Sequence, residues 1–335
     1  MWLEELFLMT FYLGCDVSAV KLDISLVDEQ GVEQWHDQVP NEPFAIATFL
    51  LTVNGAYPGD RLVGVAEATG ILHQPFADTC VGLGYTCLVY NPIQTNQQIR
   101  ATIRGKKTDR TDAVMIARIG MMGQARPYVP DSYRAVKYYT RGQAKLSGMS
   151  STLSRYTNHL SAVMEDELTD EAKQLLNGIQ AQITAAKKQF VSDTLAAAPV
   201  GLMERLRSIP GVGPYVAACL IGEIQTMERF TSAKALIAYA GLDAKVRQSG
   251  HSINSIGRLS KRGSPHLRRA LFIAANIARR YDPDFGAIYD KKRNEGKRHT
   301  VATIVTARYM LKVIRAVWLR ETPYVISGLE NSKNT

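Results

Sequence analysis

Four acidic side chains stand where a metal-assisted phosphoryl-transfer site could form. Asp16 and Glu67 each end a predicted strand, and Asp109 and Asp112 lie three residues apart on one face of a predicted helix start. Taken singly, each has a structural explanation, such as a helix N-terminal charge for Asp109. Clustered carboxylates repel one another unless cations lie between them, and Mg²⁺ prefers hard oxygen ligands. Two such ions stabilise both oxygens of a phosphoryl displacement.

Hydrophobic periodicity predicts the elements that must position these acids. Three strands in a meander are followed by strands that alternate with helices, which is typical of a mixed α/β sheet. The turn "DEQG" between the second and third strands suits a hairpin. The predicted strands are 8–17, 21–28, 31–39, 61–67 and 86–92, with helices over 42–54 and 72–83 and from 109 onward.

Beyond residue 125 the pattern changes to a seven-residue repeat of apolar side chains on two segments separated by "EDELTD". This repeat predicts an antiparallel coiled-coil hairpin over 126–198, packed either within the chain or against another copy. Residues 199–325 are predicted to be mostly helical, and 326–335 form a loose tail. The repeat consists of Leu146, Met149, Leu153, Tyr156, Leu160 and Val163, then Leu176, Ile179, Ile183, Ala186 and Phe190.

The stretch "IPGVGPYVA" (209–217) carries Gly211 and Gly213 between two predicted helices. A glycine-bearing turn of this kind exposes backbone N–H groups at a helix start, where they bind a phosphate without reading bases. The stretch looks like a helix-hairpin-helix element. A plain interhelical turn is the alternative.

Basic residues are concentrated in three stretches, one of which is a Gly- and Ser-rich loop at 245–266. Runs of charge are usually solvated faces, but their coincidence with such a loop favours a phosphate backbone as the partner. The loop holds five serines, and the pattern alone selects none of them as a nucleophile. The candidate nucleic-acid-binding residues are Arg104, Lys106, Lys107, Arg247, Arg258, Lys261, Arg262 and Arg268, with Gly211 and Gly213.

Composition narrows the class of protein. A chain of 335 residues with 46% hydrophobic content is long enough for two or three domains, and its net charge of +9 favours a polyanionic partner. Its four cysteines form no CxxC pair, which argues against zinc. The apolar N-terminus carries Glu4 and Glu5 but no basic residue, unlike a signal peptide, and no apolar run is of membrane-spanning length. A cytoplasmic protein is expected.

Taken in order, these motifs resemble the DEDD-type serine transposases of insertion sequences, family one-hundred-ten, also called bridge recombinases. The resemblance runs from about residue 12 to 320. The segments that carry it are "GCDVSAVKLDISLVD", "EATGILH", "KTDRTDAVMIARI", "SIPGVGPYVAACLIGEI", "RFTSAKALIAYAGL" and "QSGHSINSIGRLSKRGSPHLRRAL".

The resemblance implies a RuvC-like, RNase H-fold domain over 1–125 and a transposase domain over 199–325. It implies that Asp16, Glu67, Asp109 and Asp112 are the DEDD carboxylates that hold Mg²⁺. It also implies that Ser249, in "QSG", is the nucleophile that forms a phosphoserine link to DNA. The implied partners are donor and target DNA, a structured noncoding guide RNA, and further copies of the chain, as a homodimer that assembles to a tetramer on DNA. The implied location is the nucleoid of a prokaryotic cell.

Two other functions remain open from the sequence. A RuvC-type junction endonuclease would use the four carboxylates to activate water and would leave Ser249 as an ordinary loop residue. A non-catalytic RNA- or DNA-binding protein would need the basic stretches but not the acids.

Overall fold

The computed structural model describes residues 8–92, 95, 108–123, 125, 127–164, 169–247, 255–261 and 263–326, with the backbone alone at 244–247 and 255–258. The chain divides into two compact units, which adjoin in sequence at Pro130 and Asp131. The finer division made from the sequence, at 125, 198 and 325, stays a prediction.

The first unit is built on a five-stranded sheet. Strand order is β3-β2-β1-β4-β5, with β1, β2 and β3 antiparallel and with β4 and β5 parallel to β1. The predicted mixed α/β sheet is confirmed. Its elements are β1 (Thr10–Val17), β2 (Lys21–Val27), β3 (Glu33–Pro40), α1 (Pro43–Ala56), β4 (Arg61–Glu67), α2 (Gln74–Gly82), β5 (Thr86–Tyr90) and α3 (Asp109–Met121).

Helices cover both faces of this sheet. One apolar cluster joins α1 and α2 to side chains such as Leu13 and Leu22. On the opposite face, Ile116 and Ile119 of α3 pack against Val63 and Val65 of β4. Strand β2, which the sequence predicts to be half-buried, is therefore buried on both faces from residue 22 onward. Its polar side chains lie under a helix rather than in solvent.

The second unit is mostly helical. Its elements are α4 (Arg134–Val163), α5 (Asp170–Ala197), α6 (Val200–Arg207), α7 (Pro214–Ile224), α8 (Ala233–Tyr239), β6 (Ala244–Arg247), β7 (Ser255–Leu259), α9 (Pro265–Tyr281), α10 (Pro283–Asn294) and α11 (His299–Arg320). Helix α7 lies in the core, and every residue from Val216 to Ile224 is buried. None of the helices in the described part of the chain combines the length and hydrophobicity that crossing a membrane requires.

Helices α4 and α5 pack side by side in antiparallel directions. Gln143 Nε2 donates to Thr194 Oγ1 at 2.6 Å, and Gln180 Nε2 donates to Ser150 Oγ at 2.6 Å, so residue numbers rise along one helix as they fall along the other. The predicted helical pair is present over these spans. Its assignment as a coiled coil stays a prediction.

The predicted polar loop at 245–266 contains a short hairpin. Strands β6 and β7 pair antiparallel, with Arg247 opposite Ser255 and Ala244 opposite Leu259. The sequence signal for these strands is weak because each has only four or five residues, and β7 does not alternate between polar and apolar side chains.

One buried ion pair joins α4 to the core helix α7. Glu223 is 1% exposed, and Arg141 reaches it with two hydrogen bonds, from Nε to Oε1 at 2.6 Å and from Nη2 to Oε2 at 2.9 Å. Burial alone would raise the pKa of Glu223, but the hydrogen bonds and charge of Arg141 outweigh it and the pKa is lowered. The pair therefore stabilises the ionised form of a carboxylate in the core.

Removing Arg141 should reverse the pH dependence that Glu223 gives to stability. With Arg141 present, the lowered pKa contributes stability above the ordinary pKa of glutamate, and this is lost as pH falls through the lowered value. In Arg141→Met, burial, the largest effect on this group, raises the pKa against the smaller lowering effects of Ser264 and Lys137, so the variant gains stability on acidification. We expect a loss of about 3 kcal/mol at neutral pH, measured by urea unfolding between pH 4 and 8. A variant whose pH profile parallels the wild type would contradict this.

Candidate active site

Asp16 lies on the face of the sheet that α3 covers. Gly14, two residues earlier on β1 and on the same face, lies directly under α3. A Cβ atom at Gly14 would stand 2.0 Å from the carbonyl oxygen of Ala113 and 2.4 Å from the backbone nitrogen of Ala117. Glycine at this position lets the helix approach the sheet closely enough for its first turn to lie beside Asp16.

The first turn of α3 carries Asp109 and Asp112 and is fixed by its own cap. Thr108 Oγ1 accepts from the backbone N–H of Thr111, and Thr111 Oγ1 accepts from the N–H of Thr108. Arg110 also pairs with Glu33 of β3, with a shortest distance of 2.7 Å between Nη2 and Oε2. The helix start is thereby held by its capping box and by a bidentate ion pair to the sheet.

Glu67 ends β4 on the same side of the sheet. Glu67 lies two residues after Val65 and four after Val63, so its side chain is on the same face as theirs, which packs against α3. The hydroxyl of Thr95, a fully buried residue, donates to Glu67 Oε2 at 2.5 Å. Asp16 and Glu67 therefore lie on the face of the sheet that α3 covers, and the first turn of α3 carries Asp109 and Asp112. The hydroxyl of Thr95 is a neutral partner of Glu67 that the sequence pattern did not indicate.

Negative charge is concentrated around Asp16. Its pKa is raised, first by burial and then by the charges of Asp112 and Asp109, with a smaller effect of Asp23. A raised pKa of this origin shows that the carboxylates lie near enough to repel one another.

Two residues of this site, Lys21 and Asp23, were not identified by sequence reasoning. Asp23 on β2 is paired in register with Asp16 and is 4% exposed. Gln38 Nε2 donates to Asp23 Oδ1 at 2.7 Å, and Lys21 Nζ lies 3.2 Å from Asp23 Oδ2. Asp23 belongs to the polar side of "KLDISLV", which alternation alone predicts to face solvent, and the helix that covers it comes about 85 residues later in the chain.

The donor chemistry of this region fits a hard divalent cation. The four acids supply only carboxylate oxygens, and the repulsion of Asp16 by Asp109 and Asp112 is of the kind that a bound cation relieves. Among the described residues, however, no group of three or more acidic, cysteine or histidine side chains is already arranged to ligate one metal ion. The acids are brought to one region without forming a closed ligand set.

The predicted nucleic-acid-binding residues of the second unit have varied surroundings. Gly213 is exposed and precedes α7 as its N-cap, while Gly211 has φ +83° and packs on α9, where a Cβ would stand 2.3 Å from the carbonyl oxygen of Ala274. Lys261 is exposed. Arg268 donates from Nη1 to the carbonyl oxygen of Gly263 at 2.6 Å, which gives it a structural contact besides any to a ligand.

The remaining predicted residues can be placed only in part. Arg247 and Arg258 lie on β6 and β7, where the backbone alone is described. Ser249 falls outside the described residues, in the segment between these two strands. Also outside the described residues, elsewhere in the chain, are Arg104, Lys106, Lys107 and Arg262.

Two family models match this chain. Residues 13–167 match a model described as a transposase of the DEDD type, and residues 203–290 match the model of the IS116/IS110/IS902 family transposases. The two matches together span well over half of the chain, including all four carboxylates.

Relatives agree with these models. A pilin gene-inverting protein of Moraxella lacunata is 26% identical over 324 residues, covering 93% of this chain and 97% of the relative. The transposase for insertion sequence element IS1111A of Coxiella burnetii is 23% identical over 88% of this chain and 87% of its own length. An uncharacterized 43.6 kDa protein of insertion element IS110 from Streptomyces coelicolor is 36% identical over 112 residues, covering 33% of this chain.

Among solved structures, RuvC of Thermus thermophilus bound to a Holliday junction substrate is similar to 36% of this chain and 99% of its own, with 14% identity and a TM-score of 0.28. With so low a score, the fold of the first unit rests on its own strand order. The family matches define the class of protein, a DNA transposase, which is an enzyme. The chain belongs to the IS116/IS110/IS902 family of transposases.

Proposed function

We propose that this transposase is an RNA-guided DNA recombinase whose RuvC-like first unit binds Mg²⁺ and whose Ser249 forms a covalent link to DNA. The observation that carries the proposal is the shared face of Asp16, Glu67, Asp109 and Asp112, with Asp16 close enough to the α3 pair for their charges to raise its pKa. The chain order of the four acids and the downstream "QSG" serine matches the family resemblance.

The four carboxylates and Ser249 would have different chemical tasks. The four carboxylates would hold Mg²⁺, which supplies Lewis-acid stabilisation of the phosphate when bound. The Ser249 hydroxyl is a weak nucleophile that needs activation, and basic residues near it in the sequence, such as Arg247 and Lys261, would offset the charge of the phosphorane.

The proposed step conserves phosphodiester bonds. Ser249 Oγ bonds to the scissile phosphorus, the P–O bond to one strand end breaks, the serine proton passes to solvent, and the leaving oxygen takes up a proton. In the return step, a strand-end hydroxyl attacks the phosphoserine and releases the serine. No nucleotide triphosphate is required, because each broken ester bond is stored as another.

Recombination accounts better than hydrolysis for one of the relatives. The Moraxella protein is named for gene inversion and matches this chain over nearly its whole length. Inversion requires cut ends to be rejoined in a new order, which a phosphoserine intermediate permits. A RuvC-type junction endonuclease, which needs only the four carboxylates and water, is the second candidate, and the nearness of Asp16 to the acids of α3 supports it without any role for Ser249.

Nucleic-acid partners are proposed from charge and exposure. A net charge of +9, exposed Lys261 and the open helix start at Gly213 suit a phosphate backbone. We propose that donor DNA, target DNA and a structured guide RNA bind here and at the loop arginines. With these partners, the protein would act on DNA in the cytoplasm.

A homodimer is proposed from the helical pair α4 and α5. Within one chain the apolar repeat is incompletely covered: Met149, Tyr156 and Ile179 are 48%, 55% and 48% exposed and line a groove of about 630 Å³. A second copy would cover these side chains, with tetramers forming on DNA. Sedimentation of the purified chain tests this proposal: we expect a dimer for the wild type and a monomer for Met149→Glu. A wild-type chain that sediments as a monomer, as Met149→Glu does, would contradict it.

Trapping of the covalent intermediate tests the proposed chemistry. The chain is incubated with guide RNA from the flanking noncoding region, cognate donor and target DNA, and Mg²⁺, then run on a denaturing gel. We expect a DNA-linked protein band that depends on RNA and is lost in both Ser249→Ala and Asp109→Ala. Ser252→Ala is the matched control and should keep the band.

Cleaved DNA without a linked band, together with an active Ser249→Ala variant, would establish the hydrolytic nuclease instead. A band that forms equally without RNA would remove the guide from the proposal while leaving the serine in place.

A further inference from the structure

Lys21 occupies an unusual position among the carboxylates of the first unit. It is the first residue of β2, and its side chain is 42% exposed. Its Nζ lies 3.2 Å from Asp23 Oδ2 and 3.7 Å from Asp109 Oδ2. One ammonium therefore joins a buried acid of the sheet to an acid of the covering helix.

The charges around Lys21 are strongly unbalanced. Asp16 faces Asp23 across the two strands and feels the charges of Asp109 and Asp112, so four carboxylates act on one another. Arg110 is committed to Glu33 on the neighbouring strand, and His36 approaches Asp23 at 3.9 Å and counts only when protonated. Within the described residues, Lys21 is the lysine whose ion pairs reach both the sheet and the helix of this site.

We propose that Lys21 is the resident cation of the carboxylate site: it offsets the repulsion among the acids before a divalent ion arrives, and the ion displaces it from Asp109. The inference rests on the proposed function in one respect, that these acids bind a divalent cation. Lys21 is thus a positioning residue that holds the first turn of α3 against β2, and it sets how tightly the metal binds.

A charge in this position has opposite effects on the two states of the protein. Without metal, removal of the ammonium leaves the acids less compensated, so the first unit should melt at a lower temperature. With metal, removal abolishes a positive charge that would compete with the ion for Asp109 Oδ2, so binding should become about three- to tenfold tighter. A lysine with a merely structural role would lower stability in both states and would not tighten binding.

The test titrates the full-length chain with Mn²⁺ alone and follows free Mn²⁺ by electron paramagnetic resonance. Lys21→Met is compared with Lys21→Arg, which keeps the charge, and with Lys292→Met, which removes a lysine of the second unit that pairs with Glu295. We expect tighter Mn²⁺ binding and a larger Mn²⁺-induced rise in melting temperature in Lys21→Met, and wild-type values in the other two. Lys21→Gln serves as the test variant if Lys21→Met does not fold.

Two outcomes would overturn the inference: Mn²⁺ affinity that is unchanged in Lys21→Met, or affinity that falls. An Asp16→Asn arm separates this failure from that of the metal site itself. If Asp16→Asn binds Mn²⁺ as well as the wild type does, or if neither binds it, the proposed metal site is wrong. If Asp16→Asn loses Mn²⁺ binding but Lys21→Met binds Mn²⁺ as tightly as the wild type, only the role of Lys21 is wrong.

Discussion

Asp16→Asn is expected to reduce DNA strand cleavage by about a thousandfold while raising the thermal stability of the metal-free protein. The activity should fall because the proposed mechanism uses the Asp16 carboxylate to hold the metal ion that acts on the reacting phosphate. The stability should rise because an amide no longer repels Asp109 and Asp112, whose charges raise the pKa of Asp16.

The sign of the pH effect follows from this raised pKa. The folded protein binds a proton at Asp16 at a pH where the unfolded chain has already released it, so stability falls as pH rises from the ordinary pKa of aspartate through the raised value. In Asp16→Asn this decline is absent. Thermal melts in chelator between pH 3 and 8 measure the difference.

Asp37→Asn is the matched control for Asp16→Asn. Asp37 lies exposed on β3 and accepts a hydrogen bond from the N–H of Gln38, so its loss should change neither cleavage nor the pH profile. An Asp16→Asn variant that cleaves DNA at the wild-type rate would remove the carboxylate site from the reaction. One that loses both cleavage and stability would show that Asp16 mainly supports the fold.

Gly14→Ala is expected to destabilise the first unit by about 3 kcal/mol or more and to lower cleavage about a hundredfold. The new methyl would overlap the backbone of α3 at Ala113 and Ala117, which cannot move as a flexible side chain would. Helix α3 must then shift away from the sheet and carry Asp109 and Asp112 with it. Urea unfolding and a DNA cleavage assay measure the two effects.

Gly55→Ala provides the comparison for Gly14→Ala. Gly55 lies within α1, and a Cβ there would meet nothing within 4 Å. Alanine should therefore leave cleavage unchanged and stabilise the helix by up to about 1 kcal/mol. If Gly14→Ala unfolds at the wild-type urea concentration and cleaves normally, the close approach of α3 to β1 does not position the site.

The sequence determined the elements of the first unit and the acids at their ends. Alternation over 21–28 predicted β2, and the apolar segments 8–17 and 61–67 predicted β1 and β4. The positions of Asp16 and Glu67 at strand ends and the three-residue spacing of Asp109 and Asp112 led to a shared site. These signals are local, so one chain suffices to read them.

The second unit was less accessible to the same reasoning. Its two long helices followed from their periodic apolar residues, whereas the hairpin of β6 and β7 was predicted as a loop because four or five mixed residues carry little signal. The ion pair of Arg141 and Glu223 joins residues 82 positions apart, and no pattern along the sequence connects them.

Only the tertiary structure decided which faces are buried and which charges meet. Packing of α3 over the sheet turned Asp23 from an apparent surface residue into a buried partner of Asp16, and it brought Lys21 within 3.7 Å of Asp109. It also gave Gly14 its role, because the sequence does not show that the backbone of a helix packs directly against this glycine. The physical reason is that periodicity reports how a segment divides its own faces, while the element that covers each face is chosen by the rest of the chain.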